Sequence, residues 1–120
     1  MNALFGKTTE MLSLLLGYHS ERHKIISSNI ANMDTPGYQP KDMIFDKELA
    51  KKIASQRSGG EISVKEAADE GVFIVVNDGS RVNIDKEMSK LAENHLMYNL
   101  KAELLARKFR GLKDIVKGMK

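Results

Sequence analysis

Apolar residues recur every three or four positions in two long stretches, one near each end of the chain. The first stretch forms a broad stripe, which predicts a helix from about Thr9 to Met33. The second stretch alternates spacings of four and three over residues 84–119, the a/d pattern of a coiled coil, and predicts a helix over residues 85–117. Because an isolated amphipathic helix is marginal in water, we expect the two helices to pair antiparallel.

The residues expected to line the contact between the two helices are the apolar ones at these spacings. They are Leu12, Leu16, Ile26, Ile30, Met88, Leu91, Tyr98, Leu105, Phe109, Leu112 and Val116. The pattern alone is compatible with a coiled coil or a bundle, and it identifies no partner.

The region between the two long helices predicts a short helix and two strands. Residues 43–56 carry apolar side chains one turn apart and read as a helix, with Asp42 as its cap. Residues 72–76 are β-branched and aromatic, and residues 81–84 alternate after an Asn-Asp-Gly-Ser turn, which predicts a β-hairpin. The predicted fold is therefore mainly α, with two paired long helices and a small middle region.

Three segments are expected in the domain organisation. Residues 1–38 hold the first helix and its exit, residues 39–84 form the middle region, and residues 85–120 form the second helix. The first and third segments are expected to make one helical-hairpin domain.

The first helix is predicted to end in a turn of defined geometry. Pro36 lacks an N–H, disfavours helical geometry at Thr35, and suits the first central position of a type II turn. Gly37 suits the second position because it accepts a positive φ without strain. Asn29 and Asn32 precede this turn, where amide side chains can bond free backbone groups or a neighbouring segment.

Composition limits the chemistry that the chain can perform. The 120 residues fit one domain, and the absence of cysteine excludes disulfides and thiolate metal sites. The net charge of +3 arises near the C-terminus, where basic residues alternate with the apolar stripe. This distribution is typical of a solvated helix face, and it leaves a small basic coiled-coil regulator or nucleic-acid-binding adaptor as the alternative function. No segment is long and apolar enough to span a bilayer, and the first residues do not predict a cleaved signal peptide.

The histidines offer the only metal-like spacing in the chain. His19 and His23 are four residues apart on one helix, a spacing that can bind zinc, but no third ligand is evident nearby. Together with His95 they fall on the predicted helix contacts, so we expect polar positions there that bias register or respond to pH. We predict no metal, no cofactor and no catalytic residue.

Two segments resemble a known family. Residues 29–38 read Asn-Ile-Ala-Asn-Met-Asp-Thr-Pro-Gly-Tyr, which resembles the signature of the axial proteins of the bacterial flagellum. Residues 78–88 are similar to the segment that opens the C-terminal helix of flagellar basal-body rod proteins, although Ser80 and Arg81 replace a usual pair of asparagines. In its short length the chain is most similar to the proximal rod members.

The resemblance implies a structural subunit of the proximal rod, assembled by helix packing, and no enzymatic activity. The implied partners are other copies, other rod proteins, the MS-ring with its rod-adaptor protein, and the flagellar type III export apparatus, but no nucleic acid and no small-molecule substrate. The implied location is the periplasmic rod of the basal body, reached without a cleaved signal peptide. The residues expected to form the assembly junction are Asn29, Asn32, Thr35, Pro36, Gly37 and Tyr38.

Overall fold

A computed structural model describes residues 2–56 and 63–118 of the chain. Its elements, in chain order, are α1 (Asn2–Ala31), β1 (Lys41–Phe45), α2 (Lys47–Gln56), α3 (Val64–Asp69), β2 (Phe73–Asn77) and α4 (Ile84–Gly118). The molecule is elongated, with principal extents of 63 × 28 × 17 Å. The long dimension follows the two long helices, which pack against each other as the sequence predicted.

The ends of α1 differ from the predicted ones. The helix begins at Asn2 and not near Thr9, and Gly6 interrupts it with φ 72° and ψ 172°. A positive φ of this kind is open to glycine at little cost, so the backbone bends there. At the other end α1 stops at Ala31, because the amide of Met33 bonds the carbonyl of Ile30 in a tighter turn.

The middle region contains a two-stranded antiparallel sheet. The strand predicted at residues 72–76 is present as β2, but the prediction that it pairs with residues 81–84 was wrong. β2 pairs with β1, in a register from Lys41 opposite Asn77 to Phe45 opposite Phe73. Residues 81–84 form no strand. Instead the side chain of Asn83 accepts a hydrogen bond from the amide of Lys86 at 3.2 Å, and this cap opens α4.

The short helices also depart from the prediction. Residues 43–45, predicted as helix, belong to β1, and α2 begins after Asp46, whose carboxylate accepts from the amide of Leu49 at 3.0 Å. No element was predicted over α3, where Ser63 serves as the cap. The sequence Ser58-Gly59-Gly60, which predicts a break after this helix, lies outside the described residues.

The apolar core lies between α1 and the middle region. Its buried members are Leu14, Met43, Ala50, Ala67, Val72 and Phe73. The rings of Tyr18, Phe45 and Phe73 contact one another, with centroids 5.5–5.8 Å apart, and the Tyr18 hydroxyl donates to the carbonyl of Met43 at 2.8 Å. Gly17 lets α3 approach α1 closely, because a Cβ at this position would collide with Val64. The middle region therefore packs against one side of α1, and α4 packs against another side of α1.

Candidate functional site

The exit from α1 is a turn closed by its own side chains. Asn32 donates to the carbonyl of Ser28 at 2.8 Å and accepts from the hydroxyl of Thr35 at 3.1 Å. The amide of Tyr38 bonds the carbonyl of Thr35 at 3.2 Å, and Gly37 has φ 76°, as the predicted turn requires. Pro36 and Gly37 are exposed at its tip. Asn32 and Thr35 thus fix the direction in which the chain leaves the helix.

Asn29 joins this turn to β1 and to α4. Its amide nitrogen donates to the carbonyl of Lys41 at 2.7 Å and to the carboxylate of Glu87 at 3.0 Å. Its amide oxygen accepts from the Lys41 amide and from the Tyr38 hydroxyl, both at 3.0 Å. The side chain is fully buried, and four partners satisfy both of its polar atoms. One side chain therefore links three parts of the fold.

A cluster of charges surrounds the point where Asn29 meets α4. Lys90 contacts three carboxylates, at 2.7 Å to Asp78, 3.2 Å to Glu87 and 3.5 Å to Asp42. Lys86 adds a second ammonium 2.9 Å from Asp78. Glu87 is buried, so its charge depends on Lys90 and Asn29 for compensation. The hydrogen bonds to Lys90 and then to Lys86 hold the pKa of Asp78 below its usual value.

Arg22 links α1 to the same cluster through β1. Its guanidinium forms two bonds with the carboxylate of Asp42, at 2.8 and 3.1 Å. Burial is the largest single influence on the pKa of Asp42, and it raises the pKa. The hydrogen bonds from Arg22 and from the Met43 amide lower the pKa, as do the charges of Arg22 and Lys90. Together these outweigh burial, so the pKa lies below its usual value. Asp42 is thus an ionised bridge between the two long helices.

A second polar contact joins α1 and α4 further along. The amide nitrogen of Asn94 donates to the backbone carbonyl of His19 at 2.7 Å. The amide oxygen of Asn94 then faces the ring nitrogen Nδ1 of His19, also at 2.7 Å. His19 Nδ1 must then carry the hydrogen, and Nε2 is left to accept from the ammonium of Lys101 at 2.6 Å. This arrangement requires a neutral imidazole.

We expect this contact to weaken in acid. Burial, and to a lesser degree the charges of Lys101 and Arg22, lower the pKa of His19 below 6.5 despite the bond to Asn94. The unfolded chain therefore binds the proton more readily, so the stability is complete above pH 6.5 and is lost as pH falls through the lower folded-state pKa. Urea unfolding between neutral pH and pH 5 should show a slope of up to about 1.4 kcal/mol per pH unit from this group.

Two glutamine variants separate His19 from other acid effects. His19→Gln should remove this part of the slope, whereas the same change at His23, exposed one turn away, should preserve it. An undiminished slope in the His19 variant would contradict the assignment.

The residues predicted to line the helix contact are found in different environments. Leu12 and Ile26 are buried, and the half-buried ones are Leu16, Ile30, Leu91, Leu105 and Leu112. The exposed ones are Met88, Tyr98, Phe109 and Val116.

Sequence reasoning missed the polar residues of α4 that contact α1, of which Glu87 and Asn94 are buried and Lys101 is half-buried. Glu87, Asn94 and Lys101 face α1, and they are seven residues apart, one heptad position repeated three times. A heptad search that allowed polar residues at its core positions would have found them.

The histidines form no convergent ligand set in the structure. A groove of about 310 Å³ runs between the helices beside His19, His23 and His95. Over residues 2–56 and 63–118, no three potential metal ligands lie close enough to share an ion.

None of the helices in these ranges is long and apolar enough to cross a membrane.

Comparison with known proteins assigns a family to this architecture. The model of the family described as "Flagella basal body rod protein" matches residues 20–39, the end of α1 and the turn after it. The chain is 30% identical to the flagellar basal body rod protein FlgB of Bacillus subtilis, and the alignment covers 98% of this chain and 99% of that protein. The chain belongs to the flagellar basal body rod protein family. Like other rod proteins it is a structural component of the flagellar basal body, and it is not an enzyme.

Other rod proteins show similar coverage. FlgB of Borrelia hermsii is 27% identical, over 95% of this chain and 98% of its own length. FlgB of Salmonella typhimurium is 29% identical, over 86% of this chain and 88% of its own length. The likeness therefore extends through both long helices and the middle region.

Proposed function

We propose that this chain is a subunit of the proximal rod, where copies pack through their long helices with one another and with other rod proteins. The observation that carries this proposal is the surplus of apolar surface on α4. Phe109, Ile115 and Val116 are 44%, 62% and 67% exposed, and such a group of large apolar residues near one end of a helix marks an interaction surface. A subunit whose neighbours cover these residues has a physical reason to carry them.

We further propose that the two long helices act as one unit in the rod. Residues 1–38 and 85–120 form that unit, and residues 39–84 brace it from one side. Support comes from the bonds of Asn29 to Glu87 and of His19 to Asn94, which tie α1 and α4 at two levels. These hydrogen bonds suit a drive shaft. Torque puts a load on the two long helices, and bonds between α1 and α4 oppose the sliding of one helix along the other.

The remaining partners follow from the family. The proposed neighbours at the base of the rod are the MS-ring and its rod-adaptor protein, and the proposed route to the periplasmic rod is the flagellar type III export apparatus. The relatives support this proposal through their shared name as basal body rod proteins.

The test is to replace apolar residues of α4 in cells that lack the chromosomal copy of this gene. Val116→Asp should leave the purified chain folded, since Val116 is 67% exposed, but should prevent rods from forming above the membrane ring. Leu105→Asp should also abolish rods while leaving export intact, and should in addition destabilise the chain because Leu105 is half-buried. Cryo-electron tomography of basal bodies measures the rods, and urea unfolding measures the chains.

Asn99→Asp is the matched control, because it adds the same negative charge to α4 at an exposed polar position. Normal rods with Val116→Asp would contradict the assignment of this surface. Normal rods in cells without the gene would contradict the rod role itself.

A further inference from the structure

A second stripe on α4 faces away from α1 and remains uncovered. Leu96, Leu100 and Leu104 are 67%, 53% and 41% exposed, and their spacing of four places them in one row. On an ideal helix this row lies about 120° around the axis from Asn94 and Glu87, which face α1. The leucines therefore lie on a different face of α4 from the residues that bond α1.

Charged and small residues extend this stripe in both directions. Toward the start of α4 they are Lys86, Ser89 and Glu93, and toward its end they are Arg107, Gly111 and Asp114. Together with the leucines they occupy a strip about 80° wide at 3.6 residues per turn. The whole strip is exposed. We call these nine residues the leucine stripe.

The leucine stripe is a palindrome centred on Leu100. Each member has a counterpart the same number of residues away on the other side, so an antiparallel copy of α4 would place Leu96 opposite Leu104. In the same register Glu93 meets Arg107, although Arg107 is already 3.5 Å from Glu103 in its own helix and the charge of Glu93 also acts on Arg22 of α1. Lys86 meets Asp114 further out, although the Lys86 ammonium is already 2.9 Å from Asp78. Apolar residues face apolar residues, and each charge faces one of opposite sign.

We propose that α4 docks against α4 of a second copy of this chain, antiparallel and symmetric about an axis at Leu100. The row of leucines forms the centre of the contact, and the Glu93–Arg107 pair occurs twice, once on each side. Ser89 faces Gly111 beyond each pair, and both are small. A Cβ added at Gly111 would meet nothing within 4 Å, so the second helix can approach closely there.

Charge selects this orientation over the parallel one. A parallel pair in register would also align the leucines, but it would place Glu93 against Glu93 and Arg107 against Arg107. Like charges that face each other across a contact disfavour it and so exclude the wrong arrangement. The antiparallel pair alone satisfies both the leucines and the charges.

The symmetry of this dimer has a consequence for assembly. A two-fold contact uses the same surface on both copies and therefore closes on itself, whereas a filament needs contacts that repeat from one subunit to the next. The dimer would cover the leucine stripe without extending into a polymer. It goes beyond the rod role and does not depend on it, since the purified chain alone should form it.

Cysteine cross-linking of the purified full chain tests the register. The natural chain has no cysteine, so each introduced thiol can react only with its equivalent or with a chosen mate. Leu100→Cys should cross-link to itself on oxidation, because the two copies meet at this position. Leu96→Cys and Leu104→Cys should each fail alone, since equivalent residues would lie about 12 Å apart along the axis, and should cross-link when mixed. Equal self-linking of all three variants, or none at all, would overturn the proposal.

Charge reversal tests the same contact without oxidation. Glu93→Arg and Arg107→Glu should each weaken the dimer about tenfold in sedimentation equilibrium. The double variant should be tighter than either single one, because the pair between copies is exchanged, although the contact of Arg107 with Glu103 in its own helix is lost. Circular dichroism checks that each variant keeps its helices. A chain that stays monomeric at all concentrations overturns the proposal and leaves the stripe to another rod protein. A double variant no tighter than the single ones overturns the register.

Discussion

Replacing Asn29 with leucine is expected to lower the free energy of unfolding by about 3–5 kcal/mol. The side chain is fully buried and makes four hydrogen bonds, so the substitution leaves both backbone groups of Lys41 without a partner and leaves the buried carboxylate of Glu87 with Lys90 alone. Leucine has the same number and branching of side-chain heavy atoms, so the loss reports hydrogen bonding and the larger size of the methyl groups, and not an empty space. Urea unfolding followed by circular dichroism measures the difference.

Two further variants show which part of the Asn29 amide matters. Asn32→Leu is the matched control, because Asn32 bonds only within the turn, and it should cost about 1 kcal/mol. Asn29→Asp keeps the acceptor atoms but places a carboxylate where the amide donates to Glu87, 3.0 Å away. It should be nearly as damaging as leucine at neutral pH and should recover in acid. Equal costs for the leucine variants at both positions would contradict the central role of Asn29.

Replacing Lys90 with methionine is expected to cost about 3–5 kcal/mol near neutral pH, because it leaves the buried charge of Glu87 with Asn29 alone. Lys86→Met is the matched control. Both ammonium groups contact Asp78, but Lys86 is 51% exposed and Lys90 12%, so the control should cost at most about 1 kcal/mol.

The Lys90 defect should depend on pH with a defined sign. The folded chain holds the pKa values of Asp42 and Asp78 below 3.8, so their contribution is complete above that pH and is lost as pH falls through the lower folded-state values. Lys90→Met removes part of this contribution, and the stability difference between variant and natural chain should shrink in acid. A difference that stays constant from neutral pH to below pH 3.8 would contradict the electrostatic account.

The long helices could be predicted from the sequence because their signal is local and repeated. Apolar spacing located α1 and α4 and indicated that they pair, and Pro36 with Gly37 marked the turn that the structure shows. The polar ties were not predictable in the same way. Glu87 and Lys101 have the charge of a solvated face, and only the position of α1 shows that they turn inward.

The middle region was harder for a related reason. The turn after β2 carried a strong hairpin signal at Asp78 and Gly79, but the chain uses it to enter α4. β2 takes its partner from β1, with α2 and α3 between them in the sequence, and no local pattern encodes that choice. The junction residues show the same limit, since the spacing of Asn29 indicated a bonding role without naming Lys41 or Glu87 as its partners.

The separation of these partners along the chain bears on how fast the protein can fold. The bonds from Asn29 to Glu87, His19 to Asn94 and His19 to Lys101 span 58, 75 and 82 residues. Each requires a large loop to close before any of its bonding energy is gained, and folding slows as such distant contacts dominate. α1 can form its turns early, but its polar face stays unmatched until nearly the whole chain is present. Folding of this subunit is therefore complete only once α4 has packed against α1.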